Sequence, residues 1–251
     1  MKTPIPRITT RGYYELTTGK TLKNNPYYLY PKSSFEKLYD QKEISIMIHG
    51  LRNDKAGAVN KFEIAKKQLR KIGYRYPVIG YSYDSNTKGA HLKKTELRAL
   101  RAGQRIAQKN GHNLAQFILD FKKKSPKTKF RLLGHSLGSQ VILSTVENLA
   151  KSKKNKNLIE SLHFFGASIS ANVPSSKKYG SKLQQIVNGK IVNCYAPTDE
   201  VLRYAHDGDA VKNPLGLNGS IGKTISKYVQ KRVVPKNHRF KSYAAVLKSF
   251  P

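Results

Sequence analysis

Gly134-His135-Ser136-Leu137-Gly138 is the segment whose residue types and spacing point most directly to chemistry. It matches G-x-S-x-G, the pattern that exposes a nucleophilic serine on a tight strand-to-helix turn. The glycines Gly134 and Gly138 serve a steric purpose, because side chains two residues either side of the serine would collide with the neighbouring strand and helix. A serine so placed stands at the start of a helix, whose unpaired amides face any anion forming on an attacked carbonyl. The pattern also arises as an ordinary Gly-rich turn, so its flanks carry the weight. Before it, Phe130-Arg131-Leu132-Leu133 is strand-like; after it, Val141, Ile142, Thr145 and Leu149 recur at helical spacing.

A serine hydroxyl needs a base, and the base needs a group to orient it. The chain order expected for this turn is serine, acid, histidine. Six acids follow Ser136: Glu147, Glu160, Asp199, Glu200, Asp207 and Asp209. Glu147 falls within the helix leaving the turn, and Glu160 at the wrong end of a strand. Asp199 comes just after the strand-like Lys190–Tyr195 and a proline, and is the leading candidate, with Glu200, Asp207 and Asp209 remaining. Of the three later histidines, His163 lies in an apolar strand and His206 too close to Asp199. His238 lies in a polar segment before a final helical pattern (Tyr243, Ala244, Val246, Leu247), where a general base could close a triad; a surface histidine in a Lys-rich stretch is its plain alternative.

An anion hole requires two backbone donors. One is expected from Leu137, directly after the serine. The other is expected from Leu51, in the His49-Gly50-Leu51-Arg52 turn after the apolar run Ile44–Ile48, where Gly50 permits close backbone approach. His49 is expected to prop this turn, and His135 to support the serine from within the motif.

The elements that must carry these residues alternate. Strands are predicted at Ile44–Ile48, Tyr76–Tyr83, Phe130–Leu133, Leu158–Phe165 and Lys190–Tyr195. Helices are predicted over 56–72 (Ala58, Phe62, Ala65, Leu69), over 92–124 with a break at Asn110-Gly111, after Gly138, and near 199–205. Such alternation predicts an α/β protein with a mainly parallel central sheet, helices on both faces, and a site at the carboxyl ends of the strands. Residues 1–42, rich in Tyr, Pro and Lys, are expected as an extension of edge strands and loops ahead of a domain over 43–251; residues 168–188 form either a small cap or a connecting loop.

The 251-residue chain carries 47 Lys+Arg against 15 Asp+Glu, a formal net charge of +32. Its basic residues are dispersed, which favours a general compositional bias over one nucleic-acid footprint and leaves peripheral contact with anionic membrane open. The single cysteine, Cys194, excludes an intramolecular disulfide and a multi-Cys zinc site. The segment Met1 to Arg7 has charge without an apolar core, and no apolar run approaches the ~20 residues of a membrane span, so a soluble, cytoplasmic protein is expected.

With these residues in hand, the chain resembles α/β-hydrolase serine enzymes over 43–250, through Gly-His-Ser-Leu-Gly and Ile48-His49-Gly50-Leu51. A closer likeness is to an α/β-hydrolase family known as a domain of unknown function, through Phe165-Gly166-Ala167, Gly189 to Tyr195, Asp199, Val201-Leu202, Pro214 to Leu217, and His238 followed by Tyr243. The resemblance implies an α/β-hydrolase fold and puts Ser136, Asp199 and His238 in the triad roles. Two departures bear on the pocket: Ser139 and Gln140 follow the turn where many lipases carry small residues, and an aromatic-Pro-Ser motif is replaced by Tyr81-Ser82-Tyr83-Asp84-Ser85. The function so implied is a serine hydrolase of carboxylic esters, of lipid or other hydrophobic acyl type, with no cofactor or metal. Acyltransferase or thioesterase activity on the same residues, or a basic binding module for nucleic acid or anionic membrane, are the alternatives.

Overall fold

The computed structural model describes residues 4–92 and 94–251. Met1–Thr3, part of both the expected extension and the segment read for a signal sequence, and Lys93, within the expected helical stretch, lie outside the described residues. Eight strands build the sheet in chain order: β1 (Arg7–Thr9), β2 (Tyr28–Tyr30), β3 (Glu43–Ile48), β4 (Val78–Ser82), β5 (Lys129–His135), β6 (Ser161–Phe165), β7 (Ile191–Tyr195) and β8 (Tyr228–Arg232). Their spatial order is β2-β1-β4-β3-β5-β6-β7-β8, and only the β1–β2 pairing is antiparallel.

Alternate side chains of the central strands feed two apolar layers. On one face, Ile44, Ile46 and Ile48 with Phe130 and Leu132 pack against Ile106, Leu114 and Phe117 of α3 (Glu96–Lys124) and Val141 and Ile142 of α4 (Gly138–Ala150). On the other, Met47, Leu133 and Phe165 meet Phe62 and Leu69 of α2 (Lys55–Lys71) and Phe240 and Tyr243 of α8 (Phe240–Ala245). Helices thus cover both faces of a mainly parallel sheet, and the expected α/β-hydrolase fold is the one observed. From β3 the chain runs through α2 to β4 on one side, then through α3 back past β3 to β5 on the other. The strand order therefore reverses between β3 and β5, and the crevice beyond their carboxyl ends is the natural ligand position.

Several expectations need correction. The predicted helical break at Asn110-Gly111 does not occur: α3 runs unbroken through both residues and begins only at Glu96. Asn110 is retained inside the helix because its side chain is buried and bonded to Ile106, Thr10 and Tyr81. Gly111 is retained because α4 crosses there, with Ser144 occupying the space of a side chain. β1 is not an edge strand but pairs on both sides, with β2 and with β4. The last helix ends at Ala245, so Val246 is its cap and Leu247 lies beyond it. The strands at 76–83 and 158–165 are shorter than predicted, Val78–Ser82 and Ser161–Phe165.

Residues 168–188 hold a π-helical turn (Ser176–Gly180) and α5 (Ser181–Ile186), whose Leu183 and Ile186 are buried. Two further short helices, α1 (Lys32–Glu36) and α7 (Leu215–Asn218), and the longer α6 (Glu200–Asp207) complete the chain. Among the described residues no helix is long and apolar enough to cross a membrane.

Candidate active site

The turn after β5 carries Ser136 at φ 51°, a left-handed conformation that costs a non-glycine residue on the order of 1–3 kcal/mol. Surrounding hydrogen bonds hold it there. The Ser136 amide donates to Phe165 O at 3.0 Å, and its carbonyl accepts from Ser139 Oγ at 2.6 Å and from the Ser168 amide at 3.3 Å. The serine that departs from the usual small residue after the turn is thus part of what closes it. Gly138 abuts the Ile48 carbonyl and Gly134 the Ile142 side chain, so both glycines sit where side chains do not fit. Gly50 does so from the facing turn: a Cβ there would lie 2.9 Å from Ser136 Cβ.

Ser136 Oγ lies 2.8 Å from His238 Nε2, and His238 Nδ1 lies 2.7 Å from Asp199 Oδ2. The structure therefore brings together the three side chains expected from the sequence, from β5, from the start of α6, and from the segment before α8. Asp199 is buried and caps α6, its Oδ1 accepting from the Leu202 amide at 3.1 Å. Its Oδ2 accepts a second bond, from Tyr243 Oη at 2.6 Å. Burial alone would raise the carboxyl, but the bonds from His238, Tyr243 and Leu202 outweigh it and hold its pKa below the usual value. With an ionised carboxylate on Nδ1, the imidazole carries its proton there and presents the Nε2 lone pair to the serine.

The other candidates are placed as follows. The Leu137 amide, at the head of α4, and the Leu51 amide, in the turn after β3, donate to no protein acceptor among the described residues. His49 is fully buried, stacks on Tyr83 with ring centroids 4.6 Å apart, and receives the Tyr83 amide on Nε2 at 3.3 Å. The Tyr-rich segment that replaces the aromatic-Pro-Ser motif thus fixes the ring beneath Gly50. Arg11 adds two bonds from outside, to the carbonyls of Asn53 at 3.1 Å and Asp54 at 2.8 Å. His135 donates from Nε2 to the His238 carbonyl at 2.7 Å, while its buried Nδ1 has no partner among the described residues. Burial, aided by Arg11 near His49 and by His238 near His135, pushes both imidazoles down to about 3, so they stay neutral.

The other acids and histidines after Ser136 have other partners or none at the triad. Glu147 pairs with Lys182, Glu160 lies near Lys129, His163 bonds Ser161 Oγ, and His206 accepts the Asn213 amide. Glu200, Asp207 and Asp209 lie along or just beyond α6, and among the described residues the His238 ring bonds Asp199 and Ser136 instead. Sequence reasoning missed the Tyr243–Asp199 and His135–His238 bonds, which join residues 44 and 103 positions apart and leave no local pattern. Among the described residues no cluster of three or more His, Cys, Asp or Glu side chains could hold a metal ion. Cavities of about 390 Å³ between α3, α4 and α5, and of about 480 Å³ beside β8 and α8, are not lined by Ser136.

The pattern of the family described as "Protein of unknown function (DUF726)" matches residues 99–227, half of the chain, and spans both the serine turn and Asp199. The chain belongs to this family. The DUF726 match stops short of His238, which the fold returns to the same place. The DUF726 chain is 29% identical, over 119 residues, to an uncharacterized membrane protein of Caenorhabditis elegans; the match covers 47% of this chain and only 18% of that relative. Among solved structures it is similar to a lipase-esterase related protein from Clostridium acetobutylicum (10% identity, TM-score 0.39, covering 83% of this chain and 90% of that one). It is also similar to Trichoderma reesei cutinase (15% identity, TM-score 0.33, covering 62% and 68%).

Proposed function

We propose that this protein is a serine hydrolase of carboxylic esters, with Ser136 as nucleophile, His238 as general base and acid, and Asp199 as the group that orients His238. The observation that carries this reading is the unbroken relay from Ser136 Oγ through His238 to Asp199, with contacts of 2.8 and 2.7 Å. In the forward step His238 Nε2 takes the Ser136 proton as Oγ attacks the acyl carbon. The carbonyl electrons move onto oxygen, and the Leu137 and Leu51 amides supply its two donors. Collapse expels the alcohol, which leaves with the proton from His238, and water activated by the same nitrogen then releases the acid.

A hydrophobic acyl group suits the surroundings. Leu51 and Leu137 converge on Gly103 of α3, where a Cβ would lie 2.6 Å from Leu51 Cδ1 and 3.1 Å from Leu137 Cδ2. Leu92, Val201, Tyr204 and Val234 are exposed in segments that follow the carboxyl ends of β4, β7 and β8. The test is turnover of a p-nitrophenyl ester series by wild type and Ser136→Ala. The reading expects hydrolysis that rises from acetyl to longer acyl chains and vanishes in the variant. Hydrolysis that survives in Ser136→Ala overturns it.

A further inference from the structure

We propose that Tyr243 is a positioning residue of this site, its hydroxyl fixing the Asp199 carboxylate in the plane that aligns the His238 ring on Ser136. The inference rests on the hydrolase reading and extends it. Asp199 Oδ2 receives two donors, His238 Nδ1 at 2.7 Å and Tyr243 Oη at 2.6 Å, while Oδ1 receives the Leu202 amide at 3.1 Å. Three donors, from α6, from the segment before α8 and from α8 itself, leave the carboxylate no other rotation that keeps all of them. His238 and Tyr243 bracket the start of α8, so a single packing event delivers both to the same oxygen.

The surroundings are built for that hydroxyl. Gly166 adopts φ 52°, and a Cβ there would lie 2.9 Å from Tyr243 Oη, so only a residue without a side chain leaves room. The phenol is buried, and burial together with the Asp199 charge raises its pKa, so it remains a donor at any physiological pH. Tyr243 is 1% exposed and Asp199 4%, so their hydrogen bond lies away from bulk solvent. Without the hydroxyl, Oδ2 keeps only the His238 donor, so carboxylate and ring are free to shift together about the bond to Leu202.

The test compares wild type, Tyr243→Phe and His238→Ala. The first readout is the rate of Ser136 labelling by a fluorophosphonate; the second is the far-downfield proton resonance of the His238 Nδ1–H···Asp199 bond, assigned by its loss in His238→Ala. The expected result is a folded Tyr243→Phe protein that labels about tenfold more slowly, with the resonance moved by several linewidths. A merely structural tyrosine would lower the urea midpoint without moving that resonance. A wild-type rate with an unmoved resonance overturns the proposal. Should the phenylalanine variant fail to fold, 3-fluorotyrosine in place of Tyr243 keeps the hydroxyl and makes it more acidic, and an unmoved resonance there overturns the proposal too. If wild type itself does not label, the hydrolase reading falls, and the resonance alone still decides whether Tyr243 sets the His238–Asp199 bond.

Discussion

Mild acid should destabilise this fold well above the range in which carboxylates titrate. His49, His135 and His163 are buried, and burial pushes each imidazole down to about 3. In the unfolded chain each titrates near about 6.5. The unfolded state therefore binds more protons between those values, so the stability these residues contribute is complete above about pH 6.5 and is lost progressively as the pH falls toward 3. Lowering the pH from 7.5 to 5.5 takes the unfolded imidazoles from mostly neutral to mostly charged and leaves the folded ones neutral. That difference is worth about 1.4 kcal/mol for each residue and about 4 kcal/mol for the three, a large part of the 5–15 kcal/mol typical of a domain. The assay is urea unfolding followed by circular dichroism at both pH values. His163→Asn, which keeps a polar partner for Ser161 Oγ, should reduce the loss to about 2.7 kcal/mol. A loss below about 1 kcal/mol in wild type would refute the claim that these rings are held neutral.

Two further substitutions probe the site and its support. Gly50→Ala sets a methyl 2.9 Å from Ser136 Cβ and 3.1 Å from the His135 carbonyl, so fluorophosphonate labelling should slow by about 100-fold while the urea midpoint holds; unchanged labelling would contradict the placement of this turn. Arg131 reaches Glu43 Oε2 at 2.8 Å in a pair whose side chains are 12% and 7% exposed, and Arg131→Leu should cost about 3–5 kcal/mol in urea unfolding. The double variant Arg131→Leu/Glu43→Leu should recover most of that loss, because it removes the stranded charge as well.

The parts of the fold that were legible in the sequence are those whose apolar pattern is local. β3 is buried along its whole length and β5 over its second half, so each appears as a mostly apolar run ending in His49-Gly50 or His135-Ser136. β8 is an edge strand, paired on one side, and its Tyr-Val-Gln-Lys-Arg carries no apolar run to announce it. Asn110-Gly111 reads as a helix break because its cause lies elsewhere, in Thr10, Tyr81 and the crossing α4. The location of Ser136, Asp199 and His238 could be reasoned from chain order and from the ends of strands. The Tyr243 hydroxyl could not, because its partner is set by how α8 packs and by the space left at Gly166.

The proposed hydrolysis stands or falls on an activated Ser136, which intact-mass analysis after fluorophosphonate treatment reads out. One covalent adduct per wild-type chain is expected, lost in Ser136→Ala and nearly lost in His238→Ala, with both variants folded. A folded wild type that takes up no adduct, or an adduct that persists in Ser136→Ala, would contradict it.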